Sequence, residues 1–288
     1  MPETVGLIGL GLVGKALVRR LTAAGYSVAG YDANAATMDE AATLGVTVCP
    51  DGAAVARPCR VLLLSLPDSD IVGHVLWEQG VADALAPGSI VLDTTTGRPS
   101  DAADNHARLA TLGVDFVDVT LSGSSAEIAA GTATALVGAE RTEALDQLVR
   151  CFAASVFYLT APGAGCLAKL IVNHVMGLNR AALAEGLALG HRAGLDGTQL
   201  LSILRDSAAH SRVLDMKGER MVSGDFTPAS RIAQHAKDVR LILQLAQQVG
   251  AVTPLEQVHC RLLQQAMEAG WGELDNAAIV KAFEERRW

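Results

Sequence analysis

The sequence predicts a two-part α/β protein, with a parallel-sheet domain at 1–162 and an all-α domain at 163–288. Three observations support this prediction. Short apolar runs alternate with helical stretches through the first half, a pattern typical of βαβ units and of a largely parallel sheet. The alternation stops at the glycine-rich turn 162–165, which breaks both periodicities. Beyond the turn the periodicity is helical throughout.

Each element follows from its local pattern. The predicted strands are 4–8, 28–32, 61–66, 90–94, 115–121, 134–138 and 156–160, and the predicted C-terminal helices are 165–193, 197–206, 208–222, 228–249, 255–270 and 275–286. The first of these helices would be about 40 Å long at 1.5 Å per residue. Its apolar residues cover much of its circumference, so it needs burial on several sides. This predicts a homo-oligomer, a homodimer or homotetramer, that packs helical domains together.

The first strand leads directly into Gly9-Leu10-Gly11-Leu12-Val13-Gly14, and a helical stretch follows. In a GxGxxG turn the first glycine permits the tight bend, the second lets backbone N–H groups approach a pyrophosphate, and the third allows close helix packing. The strand before and the helix after provide the context that this motif requires. The pattern therefore predicts a Rossmann-like dinucleotide site, against the alternative of a βαβ unit that kept only its tight turn.

Asp32 ends the second predicted strand, about 20 residues after the glycines. A carboxylate at that position accepts hydrogen bonds from the ribose hydroxyls of NAD and repels the 2′-phosphate of NADP. The next four residues, 33–36, include no Arg or Lys that could pair with such a phosphate. NAD is the predicted cofactor, and the alternative for Asp32 is a solvated turn residue.

Composition excludes several classes of function. Half of the 288 residues are hydrophobic, only 19% are charged and the net charge is -8, which disfavours nucleic-acid and anionic-membrane surfaces. An early first strand and the absence of a long apolar run disfavour a signal peptide or membrane helix. The five cysteines lack CxxC spacing, so they are expected to be free thiols in a reducing cytoplasm. The histidines do not cluster with cysteine or carboxylate, and we expect no metal site.

Chemistry in the second half is expected on the long helix, where Lys169 and Asn173 lie four residues apart and so share one face. Lys169 stands in an otherwise apolar stretch. A buried lysine favours the neutral amine, which suits acid–base chemistry. The alternative is a lysine whose head extends to solvent.

The chain resembles the 3-hydroxyisobutyrate dehydrogenase family of β-hydroxyacid dehydrogenases, through motifs that span nearly its whole length. The motifs after the first glycines are Leu66-Pro67, Asp93-Thr94-Thr95-Thr96-Gly97-Arg98-Pro99, Asp118-Val119-Thr120-Leu121-Ser122-Gly123-Ser124 followed by Gly131-Thr132, the set Gly163, Gly165, Lys169 and Asn173, and Lys237-Asp238. Their common order makes the resemblance far more specific than any single motif.

The resemblance implies a hydride transfer between NAD and a short 3-hydroxy acid or its semialdehyde. Lys169 would be the general acid/base, with Asn173 orienting the reacting oxygen. The other implied roles are cofactor contacts at Leu66, Pro67, Thr96 and Lys237, and substrate contacts at Ser122, Gly123, Ser124 and Thr96.

Three departures from the family pattern lie in the substrate motif: Thr120 replaces a proline, Ser124 a glycine, and Glu127 a glycine. The hydroxyl of Ser124 either donates to substrate or caps a turn. Glu127 beside an anion site would be repulsive, so we expect it to point to solvent or to pair with a basic group. Arg231 and Gln234 either reach the substrate pocket or lie on a solvated helix face.

Two other functions remain open at this point. One is imine reduction on the same fold, which Lys169 disfavours because relatives with that chemistry commonly carry another residue there. The other is a non-catalytic NAD-binding protein, which the retained Lys169 and Asn173 disfavour. The identity of the hydroxy acid is not predicted.

Overall fold

The computed structural model describes residues 3–284. The chain divides into two compact units, the first ending at Lys169 and the second beginning at Leu170. This division falls inside the long helix, whereas the predicted boundary at 162 marks the turn before that helix. The first turns of the helix therefore belong to the sheet-containing unit.

The first unit contains an eight-stranded sheet in the order β3-β2-β1-β4-β5-β6-β7-β8. Its strands are β1 (Thr4–Ile8), β2 (Ser27–Tyr31), β3 (Thr47–Val48), β4 (Val61–Leu64), β5 (Ile90–Asp93), β6 (Asp115–Ser122), β7 (Ala133–Val137) and β8 (Ala153–Tyr158). Strands β1 to β6 run parallel, which confirms the Rossmann-like prediction. The pair β7 and β8 is parallel within itself and antiparallel to β6. The two-residue β3 is absent from the predicted strands.

Helices cover this sheet. They are α1 (Leu12–Ala23), α2 (Ala35–Thr43), α3 (Gly52–Ala56), α4 (Ser69–Gly73), a π-helical segment (His74–Glu78), α5 (Val81–Ala84), α6 (Pro99–Ala110), α7 (Ser125–Ala130) and α8 (Glu143–Val149). Side-chain caps fix several helix starts: Asn34 caps α2, Asp68 caps α4 and Thr142 caps α8.

The central strands β1, β4 and β5 are buried on both faces, as expected for parallel strands covered by helices. Successive residues of a strand point to opposite faces. Leu7 and Leu63 accordingly belong to one apolar cluster, while Ile8 and Leu64 belong to another. All four are at most 2% exposed.

The second unit is helical, and the predicted long helix is confirmed. Its elements are α9 (Ala164–Arg192, whose first turns lie in the first unit), α10 (Gly197–Arg205), α11 (Arg212–Ser223), α12 (Ile232–Val249), α13 (Pro254–Glu268), a 3₁₀ segment (Asn276–Val280) and α14 (Lys281–Glu284). A polar turn delays α11 until Ser211 caps it, which is why it begins after the predicted residue 208. The predicted helix 275–286 is instead a 3₁₀ segment followed by α14, and its residues 285 and 286 lie outside the described range.

An apolar cluster holds the helical unit together, with members such as Leu214, Ile232, Val239, Leu263 and Ile279. Each is at most 1% exposed. Among residues 3–284, no helix is both long and apolar enough to cross a membrane.

Candidate functional site

The glycine turn between β1 and α1 gives each glycine a different environment. Gly9 has a φ of +95°, and a Cβ on it would lie 2.2 Å from the carbonyl oxygen of Ser65. A Cβ on Gly14 would lie 2.0 Å from the carbonyl oxygen of Gly9. Gly11 is exposed, and a Cβ there would meet no atom within 4 Å. Packing therefore requires the first and third glycines, whereas the second leaves the backbone open to a ligand.

Helix α1 begins beside that open backbone. Its N-cap residue, Gly11, makes no side-chain cap, and its first turn contains no acidic residue. Uncapped N–H groups at a helix N-terminus carry partial positive charge and bind phosphate well. Leu10 is buried, Leu12 is 46% exposed and Val13 is half-buried. The turn therefore fits the pyrophosphate of a dinucleotide through its backbone.

Both carboxylate oxygens of Asp32 accept hydrogen bonds from backbone groups. The Leu10 N–H donates to Oδ2 at 2.7 Å, and the Asn34 N–H donates to Oδ1 at 2.9 Å. These bonds fix the carboxylate at the end of β2, and each oxygen keeps further acceptor capacity for a ribose hydroxyl. The nearby cation Lys15 forms an ion pair with Glu40. Asp32 is thus a positioned acceptor and not merely a solvated turn residue.

The loops after β4 and β5 are tied to each other. The Leu66 N–H donates to Thr95 Oγ1 at 3.1 Å, and the Thr95 N–H donates to Asp93 Oδ1 at 2.9 Å. Pro67 is exposed, and Leu66 and Thr96 are half-buried. These predicted cofactor residues therefore lie on two loops of the sheet-containing unit that are joined by hydrogen bonds.

The predicted substrate motif lies where β6 ends. Ser122 is the last residue of β6, opposite Thr134 of β7, and Gly123 follows it with a φ of +151°. Ser124 caps α7 through a capping box with Glu127. Glu127 Oε2 accepts from the Ser124 N–H at 2.7 Å and from its hydroxyl at 2.9 Å. Ser124 thus has the capping role, and Glu127 folds back onto it instead of pointing away into solvent.

The start of α9 is anchored to β6. Asp118 is 1% exposed, and its two oxygens accept from the N–H groups of Gly163 and Cys166, both at 2.8 Å. Thr120, which replaces the proline of the family motif, donates its hydroxyl to the carbonyl oxygen of Gly165 at 2.8 Å. Burial, and then the nearby Asp118, raise the pKa of the Cys166 thiol well above its usual range. This cysteine is therefore an inert packing residue.

Lys169 follows on the second turn of α9 and is 7% exposed. Most of the residue is therefore enclosed, which disfavours the alternative of a lysine whose head extends to solvent. Burying a lysine this deeply costs free energy, because its ammonium group loses its hydration. Such burial is typical of lysines that take part in proton transfer.

Asn173 and the Lys237-Asp238 motif meet inside the helical unit. The Asn173 side-chain amide donates to Asp238 Oδ2 at 2.9 Å, and Lys237 Nζ lies 3.1 Å from Asp238 Oδ1. Asn173 is 3% exposed and Asp238 is 6% exposed. Asp238 orients Asn173, a role that was not assigned to it from the sequence.

A buried polar cluster deeper in the helical unit was missed from the sequence. Glu256 is fully buried, with His174 Nδ1 at 2.9 Å and His259 Nδ1 at 3.5 Å from its Oε2. Arg180 is 1% exposed, and its Nε and Nη2 have no hydrogen-bond partner among the described residues. Burial lowers the pKa of Arg180 to about 10 against the pull of nearby carboxylates. Gly177 makes room, since a Cβ there would lie 2.6 Å from the His259 ring.

One signal could have revealed this cluster. Lys169, Asn173, Gly177 and Arg180 follow one another at spacings of four, four and three, so they form one stripe along α9. A glycine and an arginine on the face that already carries the two candidate residues indicate a polar interior.

The structure also places several residues outside these clusters. Ser211 caps α11 by accepting from the Leu214 N–H at 3.3 Å. Arg231 pairs with Glu273 at 3.1 Å on the surface, and Gln234 is exposed. All five cysteines are free thiols. Within residues 3–284, no three His, Cys, Asp or Glu side chains are grouped so that they could hold a metal ion.

Two known families match adjoining parts of the chain. Residues 4–160 match the NAD-binding domain of 6-phosphogluconate dehydrogenase. Residues 163–283 match a domain described as the NAD-binding domain of NADP-dependent 3-hydroxyisobutyrate dehydrogenase. A nicotinamide cofactor follows from these matches, while the choice between NAD and NADP does not.

Individual proteins match over nearly their full lengths. The L-threonate dehydrogenase of Cupriavidus necator is 30% identical, with 98% of this chain and 97% of that protein covered. The NAD-dependent L-serine dehydrogenase of Pseudomonas aeruginosa is 29% identical, with 98% of each covered.

Solved structures give the same result. A 3-hydroxyisobutyrate dehydrogenase from Salmonella typhimurium superposes with a TM-score of 0.88 at 28% identity, covering 97% of this chain and 99% of that one. An imine reductase from Streptomyces aurantiacus, at a TM-score of 0.67 and 19% identity, covers 99% of this chain and 100% of that one, and shares the fold alone.

Proposed function

The chain belongs to the 3-hydroxyisobutyrate dehydrogenase family of β-hydroxyacid dehydrogenases, and from that premise we propose an NAD-dependent reaction on a short 3-hydroxy acid or its semialdehyde. The coarser function follows from the family: the protein is a nicotinamide-dependent oxidoreductase that acts on the CH–OH group of hydroxy acids. The finer proposal concerns the cofactor, the substrate class and the residues that carry the reaction.

NAD is proposed over NADP because of Asp32. Its carboxylate is fixed by two backbone N–H groups, so it cannot readily turn away from a 2′-phosphate. The pyrophosphate is assigned to the backbone of Gly9, Gly11 and Gly14 and the start of α1, and further cofactor contacts are assigned to Leu66, Pro67, Thr96 and Lys237.

The substrate carboxylate is assigned to Ser122 and Gly123, with Thr96 as a further contact. Ser122 ends a strand and offers a hydroxyl donor, and the positive φ of Gly123 exposes backbone that a side chain would cover. Ser124 is assigned to the turn, because its N–H and its hydroxyl already bond to Glu127.

Proton transfer is assigned to Lys169. In oxidation the neutral amine takes the proton of the substrate hydroxyl, and in reduction the ammonium returns it. The nicotinamide ring, when bound, supplies the hydride acceptor or donor. Asn173, whose amide is oriented by Asp238, is assigned to orient the reacting oxygen of the substrate.

The observation that carries this proposal is the burial of Lys169 directly after a helix start pinned by Asp118. The test is an absorbance assay at the NADH band with a panel of 3-hydroxy acids, NAD and NADP being supplied in turn. NAD-linked turnover of at least one member supports the proposal. Absence of turnover with every member and both cofactors contradicts it.

The alternatives make different predictions when cyclic imines with reduced cofactor are assayed beside the hydroxy acids. An imine reductase would reduce cyclic imines and leave hydroxy acids untouched. A non-catalytic NAD-binding protein would bind NAD and turn over neither class. The buried Lys169 disfavours both.

The helical unit is proposed to form a homodimer or homotetramer. On α9 the side chains of Ile171, Val175 and Leu189 are 49%, 52% and 68% exposed, and the last two lie two heptads apart. Exposed apolar side chains in a row are typical of a surface that a second copy covers. Sedimentation velocity tests this state. A cytoplasmic location is proposed because the five cysteines are unpaired.

A further inference from the structure

We propose that Gly177 is a positioning residue for the reaction: because it has no side chain, α9 approaches α12 closely enough for Asp238 to hold the Asn173 amide. This inference rests on the proposed function, since it takes Asn173 as the residue that orients the reacting oxygen. Gly177 lies outside every motif of the family resemblance. All the residues involved belong to the helical unit.

The hydrogen bond between Asn173 and Asp238 decides which end of the amide is left for a ligand. A carboxylate accepts hydrogen bonds, so the group that donates to Asp238 Oδ2 at 2.9 Å is the Nδ2 of Asn173. The Oδ1 of the same amide is buried and has no hydrogen-bond partner among the described residues. The contact with Asp238 therefore presents Oδ1 as an acceptor for a substrate hydroxyl.

Gly177 lies one turn further along the same face of α9. A Cβ on Gly177 would lie 2.7 Å from His235 Nε2 and 2.6 Å from His259 Cε1. His235 is three residues before Asp238 on α12, so these two residues also share a face. The pairs Asn173–Asp238 and Gly177–His235 are therefore neighbouring contacts between the same two helices.

The two histidine rings are confined by their surroundings. His235 is 5% exposed and His259 is 1% exposed, and their ring centroids lie 5.1 Å apart. The fully buried Glu256 has its Oε2 at 3.5 Å from His259 Nδ1 and at 2.9 Å from His174 Nδ1. A close-packed interior transmits a displacement instead of absorbing it. A methyl group at residue 177 would therefore push α9 away from the helices that carry the rings.

A glycine inside a helix needs a packing reason, because alanine favours the helix more. Gly186, further along α9, provides the contrast. It is exposed, and a Cβ there would meet no atom within 4 Å. A methyl group at 177 would thus disturb the contact between Asn173 and Asp238, whereas a methyl group at 186 would not.

The test is a double-mutant cycle between Gly177→Ala and Asn173→Ala. The steady-state kcat and the KM for NAD are measured for the parent, both single variants and the double variant. The substrate is the acid of the hydroxy-acid panel that the parent oxidises with the highest kcat/KM. Gly186→Ala is the matched control, because it adds the same methyl group to the same helix in open space. Circular dichroism and sedimentation velocity check the fold and the assembly of each variant.

We expect Gly177→Ala to lower kcat about tenfold and to change the KM for NAD by less than about twofold, because a sub-ångström misplacement of an orienting group acts on the chemical step. In the Asn173→Ala background the same substitution should lower kcat by less than about twofold, since the group that it misplaces is already gone. Gly186→Ala should keep the parental kcat.

A Gly177→Ala protein with the parental kcat, or with the same loss in both backgrounds, overturns the inference. The proposed function then stands as long as Asn173→Ala itself is slow. Parental activity of Asn173→Ala, or absence of turnover by the parent with every acid of the panel, overturns both. If Gly177→Ala does not fold, His235→Phe takes its place, because a larger ring crowds the same contact from α12. Its loss of kcat must also depend on Asn173, and an equal loss in both backgrounds overturns the inference.

Discussion

At the scale of single residues, burial distinguishes between alternatives that spacing leaves open. Lys169 could have extended to solvent, but it is 7% exposed. Ser124 could have faced a substrate, but it caps α7. The sequence pattern does not predict either outcome, because each depends on side-chain directions that only the packed structure defines.

Replacing Lys169 tests the proton-transfer assignment. Lys169→Ala should lower kcat by about 100-fold or more, since a positioned acid–base group commonly contributes at least that factor. Lys169→Arg should also be slow, because a guanidinium stays protonated and cannot accept the hydroxyl proton. Steady-state NADH formation measures the rate, and NADH fluorescence measures cofactor binding, which should survive.

The control for this test is Lys281→Ala. Lys281 stacks on Trp271 in the helical unit and has no assigned role in the reaction. The control should keep the parental rate. If the Lys169→Ala protein folds, binds NAD and has a kcat within a few-fold of the parental value, Lys169 is not the proton-transfer group.

Asp32 tests the choice of cofactor. The parent should prefer NAD by at least about tenfold in kcat/KM, equivalent to about 1.4 kcal/mol. Replacing Asp32 by alanine together with Ala33→Arg should shift the preference towards NADP, because repulsion is removed and a phosphate partner is supplied. Parallel assays with the two cofactors give the ratio. Equal efficiency of the parent with both would refute the assignment.

At the scale of elements, the sequence predicts well which strands and helices are present, but it predicts the direction of the strands poorly. Apolar runs marked β1, β4 and β5 because strands buried on both faces need apolar residues at every position. The antiparallel direction of β7 could not be predicted from the sequence, because side chains alternate with the same period in parallel and antiparallel strands. The two residues of β3 are too few to show any period.

Helix starts could be predicted only where a cap or a glycine marks them. The turn before α9 was recognised from its glycines, but its anchor was not. Asp118 lies 45 residues before Gly163, and no local pattern connects the two. The contact that fixes the position of the candidate helix is therefore a tertiary one.

Removing that anchor gives a prediction at the scale of α9. Asp118→Ala would leave the N–H groups of Gly163 and Cys166 buried without their acceptor, which should cost about 3 kcal/mol of unfolding free energy. We also expect kcat to fall, because Lys169 follows within the next turns of the helix. Urea unfolding followed by circular dichroism measures the stability.

A matched control lies on the same strand. Asp115 is exposed at the start of β6, so Asp115→Ala should change stability by less than about 0.5 kcal/mol. Equal stability of the two variants would show that Asp118 does not anchor the helix.

At the scale of the whole molecule, the buried charges of the helical unit escaped prediction. Arg180 is on α9, and the carboxylates that offset its charge, Asp275, Glu256 and Asp238, come from three later segments. A helical period shows which face of one helix is apolar, but it does not show which distant residues will complete a polar interior. The stability of the protein therefore depends on pairings that only the fold creates.

The contribution of Asp275 to stability can be measured through the pH dependence of the unfolding free energy. It is fully buried and lies 2.7 Å from Lys217 Nζ and 3.2 Å from Arg220 Nη1. Burial raises the pKa of Asp275, but the hydrogen bonds from Lys217 and from the N–H groups of Ala277 and Ala229 outweigh it and leave the pKa below its usual value. A carboxyl whose pKa is lower in the folded state stabilises that state above its unfolded pKa. This stabilisation is lost as the pH falls through the folded pKa.

The unfolding free energy of the parent should therefore decline as the pH is lowered from 7 into the range where Asp275 protonates. Asp275→Asn should be less stable at pH 7 by about 3 kcal/mol, because Lys217 is left buried without its counter-charge. The variant should also lose less stability on acidification than the parent, since it has one fewer carboxylate to protonate. Urea unfolding followed by circular dichroism, across the pH series, measures both effects. Asp206→Asn, at an exposed aspartate of the same unit, should track the parent. Parallel pH curves for the parent and Asp275→Asn would mean that the acid response of this unit arises at other carboxylates.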